Sequence, residues 1–535
     1  MFKTDKNKKK FLFGKRFNEA LMILYALAVI LPVSYDTIRG SAPMPPLMKS
    51  LSAAVLSLLM VLVCLLALRA VRSLHLPGGY REQVQKDWIF FGVFFIISFG
   101  VLLLWYIGYC PGFFSVDSQI QMEQAVSGIY RDKHPVLHTF TAFTIPLKMT
   151  NGCIESIIFF QILFFSLVTA YMGMVMLSYA GRKVALLCVL FLVLNPVTGK
   201  ICLYPWKDVA FAIWSLLLMT FAAEIYFSDG QWLNQAAHTL VVGTGMALEM
   251  IIRHNGILFV LPLLTGVLLY ADRKRKIWIL LVVLLTAAGI KGPLYAALQV
   301  EDIKKEQVEI LGVPLTILGN VVTEQPEVLD EETKAFVYEI AEQKIWDTYY
   351  TRGSFNSVKR REGTDLSIIE QTDVLSVFWM TCKSMAAAPV PSVEAAVALT
   401  KVVYALDESS RFYHLGIDLE DYEVPYRGNR YIRSWLEQYY EGVNHSVFRY
   451  IFCYVGMMNL IMVICILGKT RFGVGKDWKK LMLCISPLAY NFGTMLFLMG
   501  RDDRFFYLSF LVCPWVLVLM LTEKQSVAAH SVNGA

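Results

Sequence analysis

The chain of 535 residues is 56% hydrophobic and 13% aromatic but only 17% charged, which is too apolar for a soluble globular protein of this length. Its formal net charge of +6 comes from short basic clusters between apolar runs, so nothing marks a nucleic-acid partner. The ten cysteines show no metal-ligand spacing and mostly lie inside apolar runs, where a thiol is a small hydrophobe; no disulfide and no zinc site is assigned.

In chain order, apolar runs at roughly 19–37, 50–71, 88–107, 154–179, 183–199, 208–227, 235–251, 256–272, 277–297, 448–468, 479–499 and 505–522 predict an all-α polytopic membrane protein with about twelve transmembrane helices. The basic start, with Lys8, Lys9 and Lys10, precedes a long apolar run without a small-residue cleavage pattern, which predicts an uncleaved anchor. Residues 136–149 are apolar but short and contain Pro146. They predict a helix lying at the interface or re-entering, not a span.

The positive-inside rule supports that choice. If 136–149 does not cross, the basic N-terminus, the 72–87 segment, Gly181-Arg182-Lys183, Asp272 to Lys276 and the 469–480 segment with Lys469, Arg471, Lys476, Lys479 and Lys480 all fall on the cytoplasmic side. Both termini are then cytoplasmic in a multi-pass protein of the cell membrane. The division predicts an N-terminal transmembrane module over 1–297 with an outer loop at 108–153, an extracytoplasmic, mainly helical domain over 298–447, and C-terminal helices with a short tail over 448–535. That domain shows helical patterning around 331–345 and 385–406 and an irregular stretch near Pro425 to Asn429.

Several charged groups gather at predicted outer ends. Asp117 follows the third apolar run in a loop broken by Pro111 and Gly112; a carboxylate there suits a general base, and Ser115 or Asp117 equally suits a helix N-cap. His134-Pro135 begins the short helix, proline being suited to a first turn. Lys207 and Asp208 stand where a span begins, a place that also suits an aromatic-and-lysine anchor. Glu249, Arg253, His254, Asn255 and Gly256 interrupt an apolar stretch, and Lys291 is a further cation near an outer end. Charges at such depth face a cavity, a partner or a ligand; Glu249 and Arg253 also have the i,i+4 spacing of a helical ion pair. Arg501-Asp502-Asp503-Arg504 either pairs within itself or adds two arginines to a cationic pocket suited to phosphate.

The order of these pieces resembles the GT-C class of membrane glycosyltransferases, the superfamily of protein O-mannosyltransferases and aminoarabinose transferases. The resemblance rests on Asp117 in "FFSVDSQ", "HPVLHTF" from His134, "GRK" at 181–183, "LNPVTG" from Leu194, "WKD" at 206–208, "RHNG" from Arg253 and "RDDRFF" from Arg501. "GVPLTILGNVV" from Gly312 with "LDEETKAFVYEI" resembles a bacterial branch of these proteins. It implies a GT-C-like fold and an enzyme that moves a sugar from a polyprenyl-phosphate donor to an extracytoplasmic glycan, lipid or protein acceptor of the cell envelope. Asp117, with His134 second, would be catalytic. Lys207, Asp208, Arg253, Asn255, Lys291, Arg501 and Arg504 would bind substrate or lipid phosphate. Ser118 stands where many members carry a second acidic residue, so no metal or other cofactor is predicted, a divalent cation being left open. The alternative is a transporter or flippase for a lipid-linked or anionic substrate, with Glu249, Arg253 and Lys291 lining its path.

Overall fold

A computed structural model describes residues 2–41, 43–76, 88–132, 134–301, 307–406, 426–470 and 477–522. Arg471, Lys476, Pro425 and most of the 72–87 segment lie outside the described residues, as do the side chains of Lys8, Lys9 and Lys10. Among the described residues the protein is built from helices, with β-structure limited to isolated bridges.

Seven of these helices are long and apolar enough to cross a membrane: Gly14–Ser34, Pro46–Ser73, Trp88–Tyr109, Glu155–Ala180, Lys207–Phe227, Arg273–Ala297 and Asp503–Leu521. That makes the chain a membrane protein with fewer full-length spans than the twelve apolar runs predict. The other runs do form helices, but they stop early. The 183–199 run ends as a helix at Val193, because Asn195 caps a new short helix that begins at Pro196. Ala236–Ile252, His254–Tyr270 and Val455–Lys469 have 10–17 residues, or at most about 26 Å at 1.5 Å per residue, against a hydrocarbon core of about 30 Å. Asp477–Thr494 carries Asp477, Lys479 and Lys480 at its start. Residues 136–149 are helical with a wide π-turn over Phe140–Thr144; at about 21 Å the segment is too short to span.

Contacts at the helix ends sort the bundle into two poles. Lys469 Nζ donates to the carbonyl of Arg72 at 3.3 Å, Leu76 N donates to Leu521 O at 3.0 Å, and Lys480 Nζ donates to Met520 O at 3.3 Å. Lys480 also lies over Tyr226, Lys479 over Tyr270 and Arg182 over Phe90. The described basic ends therefore meet at one pole. The opposite ends of the same helices, at Tyr109, Glu155, Lys207, Ile252 and Leu508, meet at the other.

Between the third and fourth long helices the chain turns at Gly112, whose φ of +107° favours glycine and whose missing Cβ would sit 2.8 Å from Leu203 O. Phe113 N then donates to Leu203 O at 2.8 Å. This binds the 110–140 loop to the connection leading into the Lys207 helix. Helices between Val308 and Ala388 pack around a core of their own, including Leu315, Leu318, Phe336, Trp346 and Phe355, and Met499 of the last inter-helix loop joins that core, whereas Leu399, Val402, Val403, Leu436 and Tyr440 of the predicted 298–447 domain belong to the core of the bundle. Gly312 lies so close to this loop that a Cβ would meet Leu498 O at 2.2 Å. The segment is thus clamped onto the chain just before Arg501.

Candidate functional site

Four chain segments converge at the non-basic pole. Val116–Ser127 is a short helix with Asp117 in its first turn, and Ser115, in N-cap position, makes no side-chain capping bond. Ser115 Oγ instead accepts from Trp206 Nε1 at 2.7 Å. Asp117 is not spent on the cap either: its Oδ2 lies 3.0 Å from Arg504 Nη2. Both helix-cap readings give way to tertiary contacts, a hydrogen bond at Ser115 and an ion pair at Asp117.

Arg504 joins three carboxylates. Its Nε is 2.8 Å from Asp502 Oδ2 and 3.6 Å from Asp208 Oδ2, while Nη2 reaches Asp117. Asp208 in turn pairs with Arg253. The result is a chain of alternating charge, Asp117 to Arg504 to Asp208 to Arg253, running from partly exposed to buried: side-chain exposures are 28%, 19%, 2% and 6%. Its Asp117 end is partly open to the surface and its Asp208–Arg253 end is buried.

The turn bearing Arg253 is built by its neighbours. The Ala236–Ile252 helix ends where Arg253 turns extended (φ −144°, ψ 130°), and His254–Gly256 forms one tight turn. Gly256 passes so near the preceding helix that a Cβ would lie 2.5 Å from Glu249 O. Arg253, out of helical register, aims at Asp208 while its guanidinium stacks 4.5 Å from the Phe505 ring centroid and 5.7 Å from that of Tyr490. The i,i+4 pair with Glu249 does not form. Glu249 is fully buried and accepts from Ser215 Oγ at 2.5 Å.

Lys207 begins the neighbouring span one residue before Asp208. Among the described residues it has no carboxylate within ion-pair distance, although the charges of Asp117 and Glu309 act on it. His134 is buried and its charge acts on Asp117. Burial alone would raise the Asp117 carboxyl, but Arg504, then Lys207 and His134, outweigh it and hold the group below the ordinary carboxylate range.

Three predicted residues lie apart from this network. Lys291 Nζ pairs with Asp132 Oδ2 at 2.9 Å and lies 4.4 Å from the Tyr295 ring centroid, at an exposed position. Asn255 Nδ2 donates to Thr494 Oγ1 at 3.4 Å. Arg501 is exposed. The 501–504 cluster does not close on itself, since Arg504 turns inward to Asp117 and Asp208 as well as to Asp502. Nor is the pocket simply cationic. Asp117, Asp208 and Asp502 face Lys207, Arg253 and Arg504, as expected where unpaired buried charge costs several kcal/mol.

Sequence reasoning missed His138, one turn after His134. It is buried, with Nδ1 2.9 Å from Gln121 Nε2 on the Asp117 helix. Burial first, then Lys207 and His134, push its imidazole down to about 3, so it is neutral when folded and joins the Asp117 helix to the 136–149 helix. The linkage has a definite sign: the unfolded chain binds a proton at His138 below about pH 6.5 and the folded one does not, so stability falls as pH drops from about 6.5 toward 3. His138→Gln should flatten that acid loss of the apparent melting temperature; an unchanged slope would exclude His138 as its source.

Among the described residues no group of three or more His, Cys, Asp or Glu is placed to hold a metal ion. Residues 127–365 match a family described as being of unknown function, DUF6020. The chain is similar to that family over less than half its length. The match takes in His134, Lys207, Asp208 and Arg253, but not Asp117 or Arg504. No curated protein and no solved structure matches the chain.

Proposed function

We propose that the protein is a membrane glycosyltransferase of GT-C type that moves a sugar from a polyprenyl-phosphate donor to an acceptor outside the cytoplasm. The observation carrying this reading is the Asp117–Arg504–Asp208–Arg253 chain with Lys207 beside it, at the pole opposite the basic helix ends. By the positive-inside rule that pole faces outward.

The chemistry needs one base and one acceptor of leaving-group charge. Asp117, ionised and at the exposed rim, takes the proton of an acceptor hydroxyl or amine. The acceptor atom bonds to the anomeric carbon as the bond from that carbon to the phosphate oxygen breaks, with inversion. The phosphate gains negative charge, which Lys207 can meet because no carboxylate among the described residues pairs with it.

Purified protein in lipid, given a labelled polyprenyl-phosphate hexose and an envelope glycan extract, should consume the donor and release polyprenyl phosphate. No turnover of any hexosyl or pentosyl donor would count against transfer. One feature favours the transporter reading: buried carboxylates recur along the Lys207–Phe227 helix, with Asp208 at its start, Glu249 held against it through Ser215, and Glu224 hydrogen-bonded by Tyr179 at 2.9 Å. Proteoliposomes that move a lipid-linked sugar between leaflets without cleaving it would establish that reading instead.

A further inference from the structure

The Val374–Ala387 and Pro389–Val403 helices form a V, bent by 119°. The sequence dictates the break, since Pro389 disfavours helical backbone at Ala388 and cannot donate to the preceding turn; Ala388 sits at φ −128°, ψ 69°. Together the two arms are apolar enough to be a broken span or a re-entrant loop.

Their polarity is inside out. The face turned away from the protein carries Leu375 (75% exposed), Phe378, Trp379 (65%), Met385, Val390 and Val393. The face turned inward has Val377 and Met380 in the core of the 298–447 segment, with Thr381 and Ser384 closing bonds to their own helix. Of the two charges within Val374–Thr400, Glu394 is buried and Lys383, partly exposed, is paired with carboxylates of a neighbouring helix. Lys383 pairs with Asp330 at 2.7 Å and Glu332 at 2.9 Å, and Glu394 lies 3.5 Å from Arg352. A water-facing helix would show the reverse pattern.

The V also joins the membrane bundle. Asn459 Nδ2 donates to Val403 O at 2.7 Å, and Gly456 approaches Ala405 so closely that a Cβ would meet its carbonyl at 2.1 Å. Tyr404 and Leu406 complete a cleft of about 230 Å³ with Tyr25, Val33, Ile38 and Leu56 of the first two membrane helices. Those spans expose Leu51, Val55 and Leu58 to the bilayer, so the apolar surface continues from the spans onto the V. The Val455 end of its helix lies at the pole of the candidate site, because the Lys469 end meets Arg72 at the other pole.

We propose that residues 374–403 are a re-entrant hairpin inserted into the acyl chains of the leaflet at the site pole, seating the 298–447 segment on the membrane. Trp379 stands at the interface, as tryptophan prefers. The seat fixes the height of the segment, which through Gly312 and Met499 holds the loop bearing Arg504.

The protein contains its own reporter: Cys382 is exposed on the apolar face, and Cys153 is the other exposed cysteine among the described residues. A nitroxide placed at Cys382 in a Cys153→Ser chain, reconstituted in vesicles, should collide with oxygen far more than with a water-soluble nickel chelate. Glu362→Cys in a Cys153→Ser, Cys382→Ser chain should show the opposite preference, Glu362 being exposed elsewhere on the same segment. Equal nickel access at both positions would overturn the proposal. So would dipolar broadening at Cys382 that vanishes on dilution with unlabelled protein, since a second copy would then cover the face. Independently, brominated lipids should quench the fluorescence of the parent more than that of Trp379→Phe; equal fractional quenching would also overturn it.

Discussion

Asp117→Asn lowers the rate of sugar transfer by about 10²–10⁴ while leaving donor binding within about twofold, if the carboxylate is the base. The substitution keeps the shape of the side chain and removes only its charge. Arg504 retains Asp502 at 2.8 Å and Asp208 at 3.6 Å, so the network survives the loss of one partner. A fall in donor affinity equal to the fall in rate would mean that Asp117 binds and does not take a proton. The pH profile separates these outcomes further. Because Arg504, Lys207 and His134 together outweigh burial and hold Asp117 below the ordinary carboxylate range, its ionised form persists as pH falls past about 4, the usual aspartate value. The acid limb of the parent profile should lie below that value. Arg504→Gln removes the largest of the favourable charges, so the limb should move up toward it; a limb that stays in place would exclude the Asp117–Arg504 pair as its origin.

What the sequence reveals of this arrangement follows from how far each signal reaches. Apolar runs report helices well, since every run is largely helical, but they do not report where a helix ends. The 183–199 run stays apolar across Asn195 and Pro196, and only the capping bond from Val197 N to Asn195 Oδ1 at 2.9 Å shows that the chain has turned. The Asp117 loop is legible because Pro111 and Gly112 break the preceding helix next to a carboxylate.

Pairings are a different matter. The i,i+4 spacing of Glu249 and Arg253 holds only within one helix, and that helix closes at Ile252, so Arg253 leaves the register on which the pairing depends. Its actual partner, Asp208, begins another helix, and Arg504 reaches Asp117 from the far end of the chain. No spacing rule spans such separations. Lys291 was legible as a costly cation, but not its partner Asp132, because that choice depends on where the loop after Tyr130 is tied: Glu301 N donates to Tyr130 O at 2.9 Å and brings the two segments together. His138 escaped notice because a histidine inside an apolar helix has no local signature. Its role is set by Gln121 across the fold.

Arg253→Met should be the most destabilising single change at the site. Asp208, 2% exposed, would keep only Arg504 at 3.6 Å, a longer contact already shared with Asp117 and Asp502. Removing one member of a buried pair leaves an uncompensated charge at a cost of about 3–5 kcal/mol, several times what an exposed pair contributes. The guanidinium also packs against Phe505 and Tyr490, so Arg253→Lys, which keeps the charge but loses the planar stack, should fall between parent and Arg253→Met. The discriminating variant is the double one. Asp208→Leu with Arg253→Met removes both charges, leaves Arg504 paired with Asp117 and Asp502, and should recover most of the apparent melting temperature lost by Arg253→Met alone, because a well-packed apolar pair often equals or exceeds a buried ion pair in stability. It should not recover transfer, since the charge chain beneath Lys207 is gone. If the double variant were as unstable as Arg253→Met, the cost would lie in the lost aromatic packing and not in an orphaned Asp208; if it regained transfer as well as stability, the Asp208–Arg253 pair would be scaffolding with no part in the chemistry.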